Sequence, residues 1–176
     1  ATTTNTLTGS ASGTGTLIVG EGTLVLSNGS TSNSFAPGAI QVDSGATLEL
    51  AANNQIGDST GLILNGGTFR VGTATTGFSD TLGTLTLSAS STIDLGAWTT
   101  GVRQLTFANS SAITWTGTLT ITNWQGVANT SSDVAEILFG TGGLSSGQLA
   151  QVYWGNQDLT GGALIGGNGE LVPVPE

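Results

Sequence analysis

A short beat constrains this chain more than any other feature. Gly-Thr-Leu recurs at Gly15, Gly22, Gly83 and Gly117, with the variants Gly45-Ala46-Thr47-Leu48 and Gly67-Thr68-Phe69. Leu48 and Phe69 of the variants stand about one β-solenoid coil apart, a period of roughly 20 residues or a little more. Around the beat, apolar and polar residues alternate, which marks half-buried strands. From Ile113 to Thr122 one parity reads Ile113, Trp115, Gly117, Leu119, Ile121, and the other is all Thr. Asn28-Gly29 and Asn65-Gly66-Gly67 supply turns that need positive φ. No candidate helix of ordinary length interrupts this region. Repeats of strands and turns alone predict an all-β solenoid with two or three short strands per coil. A β-sandwich also uses short strands and Gly-rich turns, but it leaves the Gly-Thr-Leu recurrence unexplained.

The beat places about six coils over residues 15–128, a rod roughly 30 Å long at about 4.8 Å per coil. Residues 1–14 read as an N-terminal arm and 129–174 as a small C-terminal cap. A last coil exposes backbone edges and core side chains, and something must cover them. Within the cap, Ser145-Ser146 before Gly147-Gln148-Leu149-Ala150 reads as a short helix with a Ser cap. "GGALIGGNGELVPV" reads as two strands around a Gly-Asn-Gly turn. Leu24, Leu26, Leu48, Leu50, Phe69, Val71, Leu85, Leu87, Leu119 and Ile121 are expected to point inward in stacked ladders.

Composition removes whole classes of function. The chain has no Cys, His, Met or Lys, and its two cations are Arg70 and Arg103. Without Cys or His there is no Ser-His-Asp or Cys-His nucleophile and no ordinary zinc or iron site. A formal net charge of −9 repels nucleic acid. No apolar run approaches the ~20 residues that span a bilayer. The acids Glu21, Asp43, Glu49, Asp58, Asp80, Asp94, Asp133, Glu136, Asp158 and Glu170 are scattered singly. A carbohydrate-cleaving β-helix needs clustered acids, so solvated turn positions are the simpler reading. No enzyme activity, metal or cofactor is expected. With 37% hydrophobic residues in a clear pattern, the chain is also not disordered.

At this point the residues carry a resemblance. The Gly-Thr-Leu coils resemble the autotransporter-associated β-strand repeat of large bacterial surface and secreted proteins. "SAITWTGTLTITNWQG", "AEILFGTGGLSSGQLAQVYW" and "GELVPVPE" are similar to the ends of PEP-CTERM-type secreted bacterial proteins that carry such repeats. In that group a Pro-Glu-Pro signal opens a sorting tail with an apolar span and a basic cluster, processed at the envelope by an exosortase-type enzyme. Pro175 and Glu176 match the start of that signal, with Pro173 in the linker before it. The second Pro, the apolar span and the basic cluster are absent, so 175–176 would be a remnant. The resemblance implies a right-handed, single-stranded β-helix and an extracellular or outer-cell-surface location. It implies no shared catalytic residues.

The function expected on this basis is a secreted structural subunit of a filament or surface matrix, its partner a second copy joined head to tail through the solenoid ends. Ala1, Thr2, Thr3, Thr4, Asn5, Thr6 and Leu7 are the assembly candidates, since this arm is polar, β-prone and nearly free of large apolar residues. The alternative is an adhesin or glycan-binding module for surface or matrix polysaccharide. Trp115 shares the core parity, whereas Trp124 and Tyr153 break it and are the candidate glycan contacts. An ice-binding protein is a third reading. Thr84-Leu85-Thr86 and the row from Thr114 to Thr122 fit it locally, but the rows do not recur at one position in every coil.

Overall fold

The computed structural model describes residues 3–29, 33–72, 77–97, 100–127, 134–155 and 162–174. They form eighteen strands, β1–β18 in chain order, and one short helix, α1. The chain winds as a β-solenoid whose coils present three faces in turn. The first face is a seven-stranded parallel sheet of β1 (Thr4–Leu7), β4 (Gly22–Leu26), β7 (Ala46–Leu50), β9 (Thr68–Val71), β12 (Ser91–Asp94), β14 (Leu119–Thr122) and β16 (Val152–Trp154). The second face follows β2 (Ala11–Ser12), β5 (Phe35–Ala36) and the single bridge of Phe35 to Ile56, then β10 (Phe78–Leu82), β13 (Arg103–Phe107) and β15 (Ala135–Leu138). The third face is four-stranded: β3 (Thr16–Val19), β6 (Ala39–Asp43), β8 (Gly61–Asn65) and β11 (Leu85–Ala89).

The regular winding comprises about four turns, against the six expected. The difference lies on the third face. Beyond β11 its place is taken by a non-strand stretch, where the Thr116 amide donates to Leu87 O at 3.0 Å and the Trp115 indole to Leu85 O at 3.2 Å. In the following turn α1 (Ser146–Leu149) takes the place. Its buried Gln148 donates to Ser110 O and Ile113 O, both at 2.9 Å. The alternation from Ile113 to Thr122 is therefore real in burial but only partly strand, since β14 begins at Leu119. Gly117 marks the break, its Cα lying where a Cβ would strike the Ala89–Ser90 backbone.

The boundaries also shift. Residues 4–12, read as an arm, already form β1 and β2 of the first coil, paired with β4 and β5. Within the expected cap, β15 and β16 continue the second and first faces. The cap proper is α1 and the antiparallel pair β17 (Ala163–Ile165) and β18 (Leu171–Pro173), whose approach to the solenoid includes a bridge between Leu138 and Glu170. Ser145 caps α1 in a capping box with Gln148, as its sequence predicts.

The core is a stack of in-register ladders. Leu24, Leu48 and Phe69 align across β4, β7 and β9, and Leu26, Leu50 and Val71 run beside them. Leu26, Leu48, Leu50, Phe69, Val71, Leu85, Leu87, Leu119 and Ile121 are fully buried, while Leu24 in the first coil is only partly so. The register explains the beat. In Gly67-Thr68-Phe69, Phe69 points in and Thr68 out, and Gly67 lets the preceding coil pass. A Cβ there would lie 2.6 Å from Asp43 O and from Val42 Cγ1. Gly15 sits in the first coil, and a Cβ on it would meet nothing within 4 Å.

Two outcomes follow, each measured by thermal or denaturant unfolding. Gly67→Ala is expected to destabilise by roughly 1–3 kcal/mol through overpacking, while Gly15→Ala stays within about 0.5 kcal/mol of the parent. Leu48→Ala is expected to cost about 2–5 kcal/mol.

Candidate functional surfaces

Four places stand apart from ordinary core and turn. The first is the N-terminal end. Here β1, β2 and β3 are the outermost strands of all three faces, each paired on one side only among the described residues. Thr4, Asn5 and Thr6 are exposed, and Leu7, Leu17 and Leu24 are only partly buried. No charged side chain precedes Glu21. Strand edges are commonly protected by charge, Pro or a bulge, and this edge carries no charge or Pro. Of the assembly candidates, Thr3 to Leu7 lie here, and Ala1 and Thr2 fall outside the described residues.

The second place is the outward side of the first face. Thr4, Thr23, Thr47, Thr68, Thr92 and Thr120 align in register across six successive strands, and Tyr153 continues the line on β16. A single threonine thus recurs at one register position on six strands of this face, although the longer rows at Thr84-Leu85-Thr86 and from Thr114 to Thr122 are not repeated coil by coil. The sequence hid the ladder because the coils differ in length, so only pairing reveals it. The rank two residues further along each strand is Thr6, Val25, Glu49, Arg70, Asp94 and Thr122. Arg70 Nε donates to Asp94 at 3.1 Å, and its Nη1 lies 3.5 Å from Glu49. Burial works to raise the Asp94 carboxyl, but hydrogen bonds from Asn123, Gly96 and Arg70 outweigh it and hold its pKa below the ordinary value.

The aromatic candidates separate. Tyr153 is half exposed, whereas Trp124 is buried against Trp154 with ring centroids 5.1 Å apart. Trp124 lies two residues past the end of β14, after Asn123, whose positive φ turns the chain and carries the indole inward. Parity read through that turn misplaces it, so Trp124 is not available to a glycan and Tyr153 is the remaining ring. Pro175 and Glu176, the sorting-signal match, lie outside the described residues, as do Asp133 and Asp158.

The third place is internal. Between Ile56 and β10 the second face has no strand ladder, and Asp80 fills the seam. Its Oδ2 accepts the backbone N–H of Gln55 at 2.7 Å and of Ile56 at 3.4 Å. The side chain is fully buried, and Oδ1 has no protein partner. Burial pushes its pKa up to about 7 against the hydrogen bonds from Gln55, Ile56 and Thr81. Arg103 is buried too, and donates from Nη1 to Gly72 O at 2.7 Å. Asp80 is therefore not the solvated turn acid that its isolation in the sequence predicts. Its parity with Phe78 and Leu82 was the available signal.

The fourth place is a groove of about 530 Å³ on the third face, lined by Ala39, Gly61, Gly83, Ala108, Thr86 and Asp58 among others. Small residues at successive coil corners create it, and Asp58 is its one charged wall. Among the described residues no group of three or more His, Cys, Asp or Glu is placed to hold a metal ion, and no helix is long and apolar enough to cross a membrane. No family model, curated protein or solved structure matches the chain.

The Asp80 seam sets a pH dependence. Its proton is held more tightly in the folded chain than in the unfolded one, where the pKa is 3.8. Its contribution to stability is therefore present below that value and lost as pH rises to about 7. Asp80→Asn keeps an acceptor for the two amides and removes the charge. Its melting temperature is expected to exceed the parent's at pH 8 and to converge with it toward pH 4. With no His in the chain, few other groups titrate in that window.

Proposed function

We propose that this chain is a structural, self-associating β-solenoid of a bacterial extracellular surface or matrix, with its N-terminal end as the contact. One observation carries the self-association: among the described residues β1, β2 and β3 are each paired on one side only, in a coil without charged side chains, over partly buried Leu7, Leu17 and Leu24. Such edges gain backbone hydrogen bonds and apolar cover when another strand adds to them. The extracellular part rests on the likeness of the coils and the C-terminal third to repeat proteins that carry the Pro-Glu-Pro signal. An adhesin or glycan-binding role has Tyr153 as its one exposed candidate ring.

The threonine ladder favours a second reading, ice binding. A line of hydroxyls and methyls repeated at about 4.8 Å can order water along the rod. The salt-bridged rank of Glu49, Arg70 and Asp94 beside it works against that reading, because charges hold water in their own geometry.

Light scattering over a concentration series, with electron microscopy of the same samples, tests the first reading. Self-association is expected, and Asn5→Lys is expected to abolish it without changing the β-rich circular dichroism spectrum. A parent protein that stays monomeric throughout overturns the reading. Thermal hysteresis in the parent that Thr68→Lys removes would establish ice binding instead, and its absence at millimolar protein would eliminate it.

A further inference from the structure

We infer that Asn28 is a site of spontaneous covalent modification: its side-chain amide is lost as ammonia through attack by the Gly29 backbone nitrogen, leaving aspartate or isoaspartate at that corner of the solenoid. The inference does not depend on the self-association proposed above. In the reaction the Gly29 nitrogen gives up its proton and bonds to Asn28 Cγ. The bond from Cγ to Nδ2 breaks, and ammonia leaves with that proton. Water then opens the five-membered imide. Cleavage between Cγ and the Gly29 nitrogen gives aspartate. Cleavage at the backbone carbonyl gives isoaspartate, joined to Gly29 through Cγ. Glycine suits the attacking position because it has no Cβ to obstruct ring closure.

The chain has three Asn-Gly pairs, and the fold treats them differently. In Asn65-Gly66 the Gly66 N–H donates to Ser91 Oγ at 2.9 Å, and Asn65 Nδ2 donates to Asp43 at 2.9 Å from the end of β8. In Asn168-Gly169 the Gly169 N–H donates to Gly166 O at 2.9 Å, and Asn168 Oδ1 accepts the Glu170 N–H at 3.1 Å. Each of these glycine nitrogens must break a hydrogen bond before it can lose its proton and turn on Cγ. Gly29 is exposed, and among the described residues its N–H has no acceptor, so solvent can take the proton.

The next coil also activates this pair. The Gln55 side chain grips the Asn28 backbone: its Oε1 accepts the Asn28 N–H at 2.6 Å and its Nε2 donates to Asn28 O at 3.0 Å. Asn28 O and the Gly29 N–H belong to one peptide unit. A hydrogen bond donated to that oxygen draws charge from the unit and stabilises the anion left when the Gly29 nitrogen is deprotonated. The product in turn disturbs the corner. Asn28 Nδ2 donates to Gly9 O at 3.1 Å, and a carboxylate cannot. Isoaspartate also lengthens the main chain and moves the carbonyl that Gln55 holds.

Folded protein, and protein held unfolded in guanidinium chloride, would be incubated at mildly alkaline pH, digested and mapped by tandem mass spectrometry, which follows amide-to-acid conversion at each asparagine separately. In the unfolded chain the three sites are expected to convert at similar rates. In the folded chain Asn28 is expected to convert roughly tenfold or more faster than Asn65 and Asn168, whose hydrogen-bonded glycines react only through local opening. Gly29→Ala is the control. The φ of Gly29 lies outside the left-handed region and a Cβ there meets nothing within 4 Å, so this variant keeps the fold. It is expected to lose most of the conversion at Asn28, because the added Cβ obstructs ring closure. Conversion at Asn28 no faster than at the other two sites in the folded chain, or conversion undiminished in Gly29→Ala, would overturn the inference.

Discussion

Every feature of this molecule depends on the in-register parallel pairing of one coil with the next. A parallel pair places like position over like position, so an inward Leu in one coil requires an apolar residue at the same place in its neighbours. Leu26, Leu50 and Val71 satisfy that demand on one ladder, and Leu24, Leu48, Phe69, Ile93 and Ile121 on the next. The same pairing brings backbone against backbone at the corners, where Gly67 and Gly83 leave no room for a Cβ. The outward threonine ladder is the solvent side of this one constraint. A residue with good strand propensity, repeated at one register position, becomes a line.

Much of the fold was legible because the pairing writes itself into local sequence. The beat encodes a corner glycine, an outward threonine and an inward leucine, and period-two alternation encodes the faces. The helix behind Ser145 and the final hairpin were legible for the same reason, since capping and turn chemistry are local. What stayed hidden depends on distance along the chain. Thr68 and Thr92 are partners, but no local signal says so when coils differ in length. The place of residues 4–12 in the first coil depends on pairing with β4 and β5 and not on their own weak pattern.

The candidate surfaces were less legible than the fold, and Trp124 and Asp80 show why. Parity predicts facing only while the backbone stays extended, and the positive φ of Asn123 ends that condition one residue before Trp124. Asp80 keeps its parity and points inward, where a lone acid is costly. Composition made a turn position the simpler reading. The structure shows what offsets part of the cost: where the second face lacks a ladder, two amide N–H groups need an acceptor, and the carboxylate supplies it.

That seam has a mechanical consequence. In a solenoid the inter-coil hydrogen bonds lie along the rod, so tension applied from end to end loads successive coil junctions in series. A chain in series parts at its weakest link, however strong the others are. Among the described residues only the first junction has ladders on all three faces; the one between Ile56 and β10 has none on the second face, where the Asn54 N–H to Ser79 O bond and the side chains of Asp80 and Asn53 stand in for it. Under tension the rod would yield at a junction short of a ladder, this seam among them, and not at the first, where three ladders share the load.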